Sequence, residues 1–327
     1  MNTAAMPFLV RFRNIGVLAV LLCLVVGAAA LTPQHTFIGE ANLKTLVALG
    51  SEFGIIALAV GVLMIAGEFD LSVGSVLALC AFVFAYAYPL VGSPFVAMLL
   101  AIVCGVAVGL IHGLLVVRAR IVSFIATLGG MMTWRGLTQI LSGGQMRNVA
   151  FDEHPLFVEL FTGRVGGVVP AQFIWFVLFA AILYLVLNRG KFGNWIFATG
   201  DNAQAARAMA VDTDLVKVVC FVLVGFSVAF AAVLQTTRST AFSTHMATGW
   251  ELQAVAAAVV GGTSLRGGRG SMIGIFLGAL VIIVMDNMVS QLRLAYEWTY
   301  VAFGLVILGA VLLDLMIEKR IQRAAVC

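Results

Sequence analysis

Long apolar segments recur along the chain, and their lengths set its fold class. About ten of them run for roughly 16–25 residues, which is the length that an α-helix needs to cross the hydrocarbon core of a bilayer. We therefore predict an all-α polytopic membrane protein of about ten transmembrane helices, some of them broken or half-spanning. The predicted spans are 14–31, 46–66, 71–89, 94–117, 123–141, 170–187, 215–236, 251–262, 271–291 and 298–317.

The overall composition supports lipid as the solvent of this chain. Hydrophobic residues make up 62% of its 327 residues and charged residues 10%, whereas a soluble domain carries roughly 25% charged residues. One water-soluble core cannot hide so much apolar surface.

The eighth segment, 251–262, is short, so it either crosses half of the bilayer or joins its neighbour through a broken turn.

Basic residues give the orientation, because Lys and Arg concentrate on the cytoplasmic side of membrane proteins. With the N-terminus inside, 13 of the 19 Lys and Arg residues fall on the cytoplasmic side and 5 fall outside. Both termini are therefore predicted to be cytoplasmic. Residues 1–30 also resemble a signal peptide, but we expect a retained first span. The predicted map is a single transmembrane domain, 1–327, with a cytoplasmic segment 1–13, an outer segment 142–169, a cytoplasmic segment 189–214 and a cytoplasmic tail 318–327.

The segment 189–214 is the longest stretch that has the composition of a soluble protein. Its middle, 201–211, is predicted to form one short alanine-rich helix, capped by the side chain of Asp201 or Asn202. A capped amphipathic helix on a membrane protein with short loops suits docking of a soluble cytoplasmic partner. An ordinary polar connector explains the same pattern, so the residues alone leave both interpretations open.

Two predicted spans carry glycine at every fourth position. In an apolar helix this spacing removes side chains from one stripe, so that another backbone can approach closely. Packing within one chain and a contact between two chains both fit the pattern. The two glycine ridges are Gly105, Gly109 and Gly113, and Gly270, Gly274 and Gly278.

Polar side chains at membrane depth are the candidates for function. A central charge costs roughly 2.5–3.5 kcal/mol on insertion scales, so each should have a partner or a place in a pathway. We expect His112 to be a hydrogen-bonded packing residue. Trp250, Glu251 and Gln253 combine an aromatic ring with acid and amide groups and could contact a polyhydroxylated solute, although Trp250 also suits an interface anchor. The full set of ionisable residues is Glu52, Glu68, Asp70, His112, Arg135, Glu251 and Asp286.

The sequence contains no motif that indicates an enzyme. The glycine-rich run 261–270 has Gly268 where a phosphate-binding loop needs Lys, so we interpret it as a tight cytoplasmic hairpin, with 66–75 as a second one. The chain contains no HExxH, GxSxG or CxxC motif, and its five cysteines and four histidines are dispersed. We predict no catalytic residue, no metal site and no cofactor. Energy for uphill transport would come from a partner or an ion gradient.

Four stretches together resemble the membrane permeases of bacterial ABC sugar importers, the type for ribose, xylose, galactose, rhamnose and the autoinducer sugar. The resemblance covers residues 37–315. It implies an inner-membrane permease, paired with a second permease subunit around a central path, two cytoplasmic ABC ATPase subunits and a periplasmic sugar-binding protein, and it implies no nucleic acid. The stretches are EFDLSVGSVLAL from Glu68, FIATLG from Phe124 together with MMTWRG from Met131 and LSGGQ from Leu141, GDNAQAARAMAV from Gly200 and ELQAVAAAVVGGTSLRGGRG from Glu251.

The resemblance also assigns roles to residues. It implies that the stretch from Gly200 is the coupling loop that docks on the ATPase, through Gly200, Asp201, Asn202, Ala205, Ala206, Arg207 and Met209. The candidates for the translocation path or for solute contact are Trp250, Glu251, Gln253 and Asp70.

The chain departs from the family pattern at three places. The family commonly has Gly at the position of Glu68, Asp at that of Gln253 and Gly at that of Ala210. The first two departures change charge and leave the solute open. The competing prediction is an ion-coupled secondary transporter or a channel for a small polar solute, which would need no ATPase.

Overall fold

The computed structural model describes residues 5–295, 297–306, 308, 309 and 312, with side chains from Asn14 onward. Helices dominate this part of the chain, and four two-residue strands lie in its loops. The helices are α1 Ala5–Leu31, α2 Glu40–Ile65, α3 Val73–Val91, α4 Pro94–Val117, α5 Ser123–Ser142, α6 Pro155–Thr162, α7 Ala171–Arg189, α8 Lys191–Asp201, α9 Ala203–Ala208, α10 Thr213–Ser239, α11 Trp250–Val260 and α12 Met272–Gln291, with a 3₁₀ turn at Pro33–Ile38. The strands are β1 Arg147–Asn148, β2 Arg164–Val165, β3 Val169–Pro170 and β4 Ala241–Phe242.

The prediction of an all-α polytopic membrane protein is confirmed. Among the described residues, seven helices are long and apolar enough to cross a membrane, namely α1 from Asn14, α2, α3, α4, α7, α10 and α12. Each lies where a span was predicted. The fifth predicted span is α5, and residues 298–306 of the tenth are helical. The number of ten spans and the cytoplasmic position of the termini stay predictions, and the tail 318–327 lies outside the described residues.

The eighth predicted span is the short helix α11. It has 11 residues, which at 1.5 Å per residue covers about half of a hydrocarbon core roughly 30 Å thick. The glycine-rich run that follows it turns back at the predicted place, since Ser264 N donates to Arg269 O at 2.9 Å.

Helix α2 forms the centre of the fold. Every residue from Gly50 to Ile65 is buried, and α7, α10, α11 and α12 pack around it. Apart from Ser51 and Glu52, these residues are apolar or glycine, and a helix that is apolar on nearly all sides can be buried in this way. The sequence of α2 therefore explains why the other helices surround it.

Both glycine ridges pack within the chain. A Cβ atom on Gly105 would lie 2.7 Å from the Cβ of Ala229 on α10, and one on Gly109 would lie 3.0 Å from the carbonyl carbon of Phe221. On α12, a Cβ atom on Gly278 would lie 2.7 Å from the backbone nitrogen of Gly261. The ridges thus bring α4 onto α10 and α12 onto the end of α11 at backbone distance.

The segment 142–169, which is predicted to lie outside, is folded against the membrane helices. Its helix α6 inserts Phe157 and Phe161, both buried, and Phe157 meets Phe84 of α3 at 6.0 Å and Phe95 of α4 at 5.0 Å between ring centroids. Strand β1 pairs with β4 beyond the end of α10. This segment therefore forms a packed cap on one side of the helices.

Candidate functional site

The proposed coupling segment consists of two helices, and the prediction of one helix over 201–211 was wrong in its bounds. Asp201 ends α8, and Asn202 leaves the helical region with φ −155° and ψ 95°. The Asn202 side-chain oxygen accepts from the backbone N–H groups of Gln204 at 3.1 Å and Ala205 at 3.0 Å. Asn202 is therefore the cap of α9. Sequence reasoning could not choose between Asp201 and Asn202, because either side chain can accept these bonds.

Helix α9 ends in a left-handed turn at Ala210. Its φ is +60°, Val211 N donates to Ala206 O at 3.1 Å, and Ala210 N donates to Arg207 O at 3.0 Å. This pair of bonds is the Schellman pattern, in which glycine usually occupies the left-handed position. Asp212 then caps α10, its side chain accepting from Leu215 N at 2.9 Å. Hydrogen bonds thus fix the chain at the end of α9, although they hold Ala210 in a strained backbone conformation.

Arg207 connects α9 to the start of α10. Its Nε donates to Thr213 Oγ1 at 2.6 Å, and its guanidinium forms an ion pair with Asp214. The acid that pairs with Arg207 therefore belongs to the chain itself. The clamp ties α9 to the first turn of α10, although the Arg207 side chain remains more than half exposed.

The seven proposed coupling residues differ in exposure. Met209 is 79% exposed, whereas Ala206 is 5% exposed and packs inward. Gly200 is half-buried, and a Cβ atom there would overlap the Ile65 carbonyl oxygen and lie 2.5 Å from the Gly268 nitrogen. Ala206 and Gly200 therefore hold the segment in place. The exposed members that a partner could contact are Asp201, Asn202, Ala205, Arg207 and Met209.

The two predicted hairpins meet the coupling segment at Gly200. Gly268 N donates to Ile65 O at 2.8 Å, and a Cβ atom on Gly267 would lie 2.7 Å from the Cα of Gly67 and 2.9 Å from the Gly200 oxygen. Gly67 and Gly267 both have positive φ, 86° and 81°, a conformation that glycine adopts without a steric cost. The end of α2, the run 261–270 and α8 are thus joined through their backbones.

Asp70, one of the candidate path residues, is bonded inside the fold. It is 3% exposed, and its Oδ1 accepts from Ser72 N at 2.8 Å and Ser72 Oγ at 2.6 Å. His112 Nδ1 lies 3.4 Å from Ser72 Oγ, and His112 Nε2 accepts from Trp134 Nε1 at 3.0 Å, since an indole N–H can only donate. The expectation that His112 is a hydrogen-bonded packing residue is met by this geometry.

The other three candidate path residues lie together at the start of α11. Trp250 packs edge-on against Phe53 with 5.5 Å between ring centroids, and Gln253 is buried. Glu251 Oε1 accepts from Gly249 N at 3.3 Å, while its buried Oε2 has no hydrogen-bond partner within the described residues. A buried carboxylate oxygen without a partner is costly, and it makes Glu251 the candidate best placed to receive a polar group.

Arg135 also lies in this region, and the sequence gave it no role beyond that of a charge inside a predicted span. From α5 its Nη1 donates to Thr244 O at 2.5 Å and Met246 O at 3.1 Å, in the loop that leads into α11. Arg135 therefore fixes the approach to Trp250 and Glu251. Its place inside an apolar span was the only signal of such a role in the sequence.

Two ion pairs join residues that the sequence could not pair. Glu52 of α2, fully buried, accepts from Arg238 of α10 at 2.7 Å and 3.1 Å. Glu68 pairs with Lys217 near the start of α10. Both acids are compensated in the way that charges at membrane depth require.

Comparison with known proteins identifies a family model that matches residues 42–311, described as the permease component of branched-chain amino acid transport systems. The chain is 33% identical over 298 residues to the ribose import permease protein of Escherichia coli strain K12, covering 91% of this chain and 92% of the relative. It is 32% identical to the ribose import permease protein of Haemophilus influenzae, covering 94% of each. It is 31% identical to the autoinducer 2 import system permease protein of Salmonella choleraesuis, covering 97% of this chain and 90% of the relative.

Proposed function

We propose, from the premise that the chain belongs to the family of transport permeases described above, that it is the membrane-spanning subunit of an ATP-binding-cassette importer of the bacterial inner membrane. The family is one of transport subunits, and ATP hydrolysis is assigned to separate cytoplasmic ATPase subunits. A periplasmic binding protein delivers the solute, and a second permease subunit completes the path. A homodimer and a heterodimer are both compatible with this proposal.

The solute is proposed to be a monosaccharide or a related polyhydroxylated compound. The family description names branched-chain amino acids, but the relatives that cover more than nine tenths of this chain import ribose or autoinducer 2. Glu251 and Trp250 combine a hydrogen-bond acceptor with an aromatic face, which suits a polyol better than an aliphatic side chain. Uptake of radiolabelled ribose, with leucine as competitor, distinguishes the two solute classes.

The observation that supports the proposal most directly is the exposure of Met209 at the end of α9. The helix is capped by Asn202, bonded to α10 through Arg207 and preceded by the backbone junction at Gly200 of α8. A rigid helix that exposes a large apolar side chain fits a docking contact better than a connector, because an isolated six-residue helix is not stable by itself. We assign Met209 to a groove of the ATPase, with Ala205 and Arg207 beside it.

The proposed mechanism is alternating access. The loaded binding protein docks on the outer segment 142–169 and on 238–249. ATP then closes the two ATPase subunits, and their movement enters the permease through α9. Rocking of the helices exposes the path, with Trp250, Glu251 and Gln253 as candidate lining residues, to one side of the membrane at a time.

The test uses substitution of Met209, because a side chain that is 79% exposed contributes little to packing. The permease is co-expressed with its candidate ATPase and purified through a tag on the permease. We expect Met209→Asp to reduce the recovered ATPase at least tenfold, since a charge then enters an apolar contact. Arg207→Glu and Ala206→Asp are less selective, because the first repels Asp214 and the second places a charge in a buried position.

Met146→Asp is the matched control, because Met146 is 67% exposed on the outer cap. It should leave the recovery of the ATPase unchanged. Equal recovery with Met209→Asp and the unmodified chain would contradict the role of α9. Absence of the ATPase even with the unmodified, well-folded chain would contradict an ATP-driven importer and favour an ion-coupled transporter.

A further inference from the structure

The Glu68–Lys217 ion pair joins the start of α10 to the 66–72 segment, which connects α2 to α3. The Glu68 side chain is 10% exposed and that of Lys217 is 21% exposed, so salt screens the attraction only weakly. Lys217 lies four residues after Thr213, and side chains with this spacing share one face of a helix. The first two turns of α10 thus hold α9 through Thr213 and the 66–72 segment through Lys217.

The 66–72 segment is in turn hydrogen-bonded to the start of α5. Phe69 N donates to Ser123 Oγ at 3.2 Å, and Leu71 N donates to Thr127 Oγ1 at 3.1 Å. Ser123 and Thr127 lie in the first two turns of α5 and are both buried. A displacement of the segment would therefore act directly on this helix.

Helix α5 carries the connection to the other end of the molecule. Arg135 on α5 donates to the carbonyl oxygens of Thr244 and Met246, and this loop leads into Trp250 and Glu251 of α11. The contacts run without a gap from α9 to the loop before α11. They consist of the Arg207 contacts with the start of α10, the Glu68–Lys217 ion pair and two sets of hydrogen bonds. Rigid elements joined by such contacts are the physical means by which distant sites are coupled.

We infer that the Glu68–Lys217 pair is a positioning contact that passes movement of α9 and α10 to α5, and so links the ATPase to the residues at the start of α11. The inference rests on the proposed function, because the ATPase supplies the movement. Neither residue touches the solute. Their role is to make the 66–72 segment move together with α10.

The experiment measures movement of α5 without any need to know the solute. All five cysteines are replaced by serine or alanine, a nitroxide label is attached at Ile140→Cys, which is 77% exposed near the end of α5, and the permease–ATPase complex is placed in nanodiscs. Electron paramagnetic resonance spectra are compared with and without ATP and vanadate. We expect Glu68→Gln and Lys217→Met to reduce the spectral change by roughly threefold or more, with ATP hydrolysis retained.

Rescue separates a positioning role from a general loss of stability. The double variant Glu68→Lys with Lys217→Glu restores an ion pair and should restore the spectral change, and Glu68→Asp, which keeps the charge on a shorter side chain, should retain most of it. Glu40→Gln removes the Glu40–Lys44 ion pair, which lies apart from these contacts, and is expected to change nothing. Melting temperatures of all variants are recorded in parallel.

Two results would overturn the inference. One is an unchanged spectral response in Glu68→Gln and Lys217→Met. The other is a parallel loss of spectral response, ATP hydrolysis and melting temperature that neither the charge exchange nor Glu68→Asp repairs, because this would assign the pair to folding alone. Failure of the unmodified chain to bind the ATPase is a separate result, and it counts against the proposed function.

Discussion

Individual polar residues in this protein are held by partners from distant parts of the chain. Glu52 and Arg238 are separated by 186 positions and still form two hydrogen bonds. Removing one partner of a buried pair leaves an uncompensated charge, which costs more than the pair itself contributes. Specific geometry therefore compensates the Glu52 charge, whereas Glu251 Oε2 is a buried carboxylate oxygen that has no hydrogen-bond partner in the described part of the chain.

Ala210 offers a direct prediction at the residue scale. Its φ of +60° costs an L-residue roughly 1–2 kcal/mol, and glycine removes this cost while adding about 0.4–1 kcal/mol of unfolded-state entropy. Ala210→Gly should therefore stabilise the protein by about 0.5–1 kcal/mol. Thermal unfolding of the purified permease in detergent measures the change as a higher melting temperature.

Ala208→Gly is the matched control for this substitution. Ala208 is exposed and is the last helical residue of α9, so glycine there should destabilise the helix by about 0.5–1 kcal/mol. The two substitutions are chemically identical and are predicted to have opposite signs. A lower melting temperature for Ala210→Gly would contradict the left-handed conformation at this position.

At the scale of helices, close packing depends on glycine at the α4–α10 contact. Gly105→Ala would place a Cβ atom 2.7 Å from that of Ala229 and in overlap with the Gly225 carbonyl oxygen. The helices must separate to accept it, which costs about 1–3 kcal/mol. We expect a lower melting temperature and a larger aggregated fraction in size-exclusion chromatography.

Gly136→Ala on α5 tests the same exchange where space is available. No heavy atom lies within 4 Å of a Cβ atom at Gly136, and alanine favours a helix over glycine by about 1 kcal/mol. This variant should match or exceed the stability of the unmodified chain. A similar loss of stability in both variants would show that the α4–α10 contact is not the reason for the glycine at 105.

At the scale of the whole molecule, charge and packing together make a prediction about sidedness. Residues 189–214 are predicted to be cytoplasmic and 142–169 extracytoplasmic, and the structure exposes one methionine in each, Met209 and Met146. In a cysteine-free background, Met146→Cys should react with a membrane-impermeant maleimide in intact spheroplasts. Met209→Cys should react only after the membrane is opened, because the bilayer separates it from the reagent. Reaction of Met209→Cys in intact spheroplasts would reverse the proposed orientation.

The positions of the membrane helices followed from the sequence, because burial in lipid depends on local composition. Runs of apolar residues long enough to cross the bilayer became α1–α4, α7, α10 and α12 at nearly the predicted bounds. The short run at 251–262 gave the 11-residue helix α11, as its length indicated. The spacing of Gly105 and Gly109 indicated a close contact, since a missing Cβ atom is visible in the sequence.

Only the tertiary structure decided which residues meet. The sequence marked Glu68 as an ionisable residue that needs a partner, but it could not supply Lys217. It also gave no sign that Arg207 pairs with Asp214, because pairing depends on how the loops bring separate helices together. The sequence offered Asp201 and Asn202 as equal candidates for the helix cap. In the structure α8 ends at Asp201, so Asn202 is the residue that caps α9. Local composition thus determined where the apolar helices lie along the chain. Three-dimensional packing determined the contacts between them, because a contact is a property of distance and not of order along the chain.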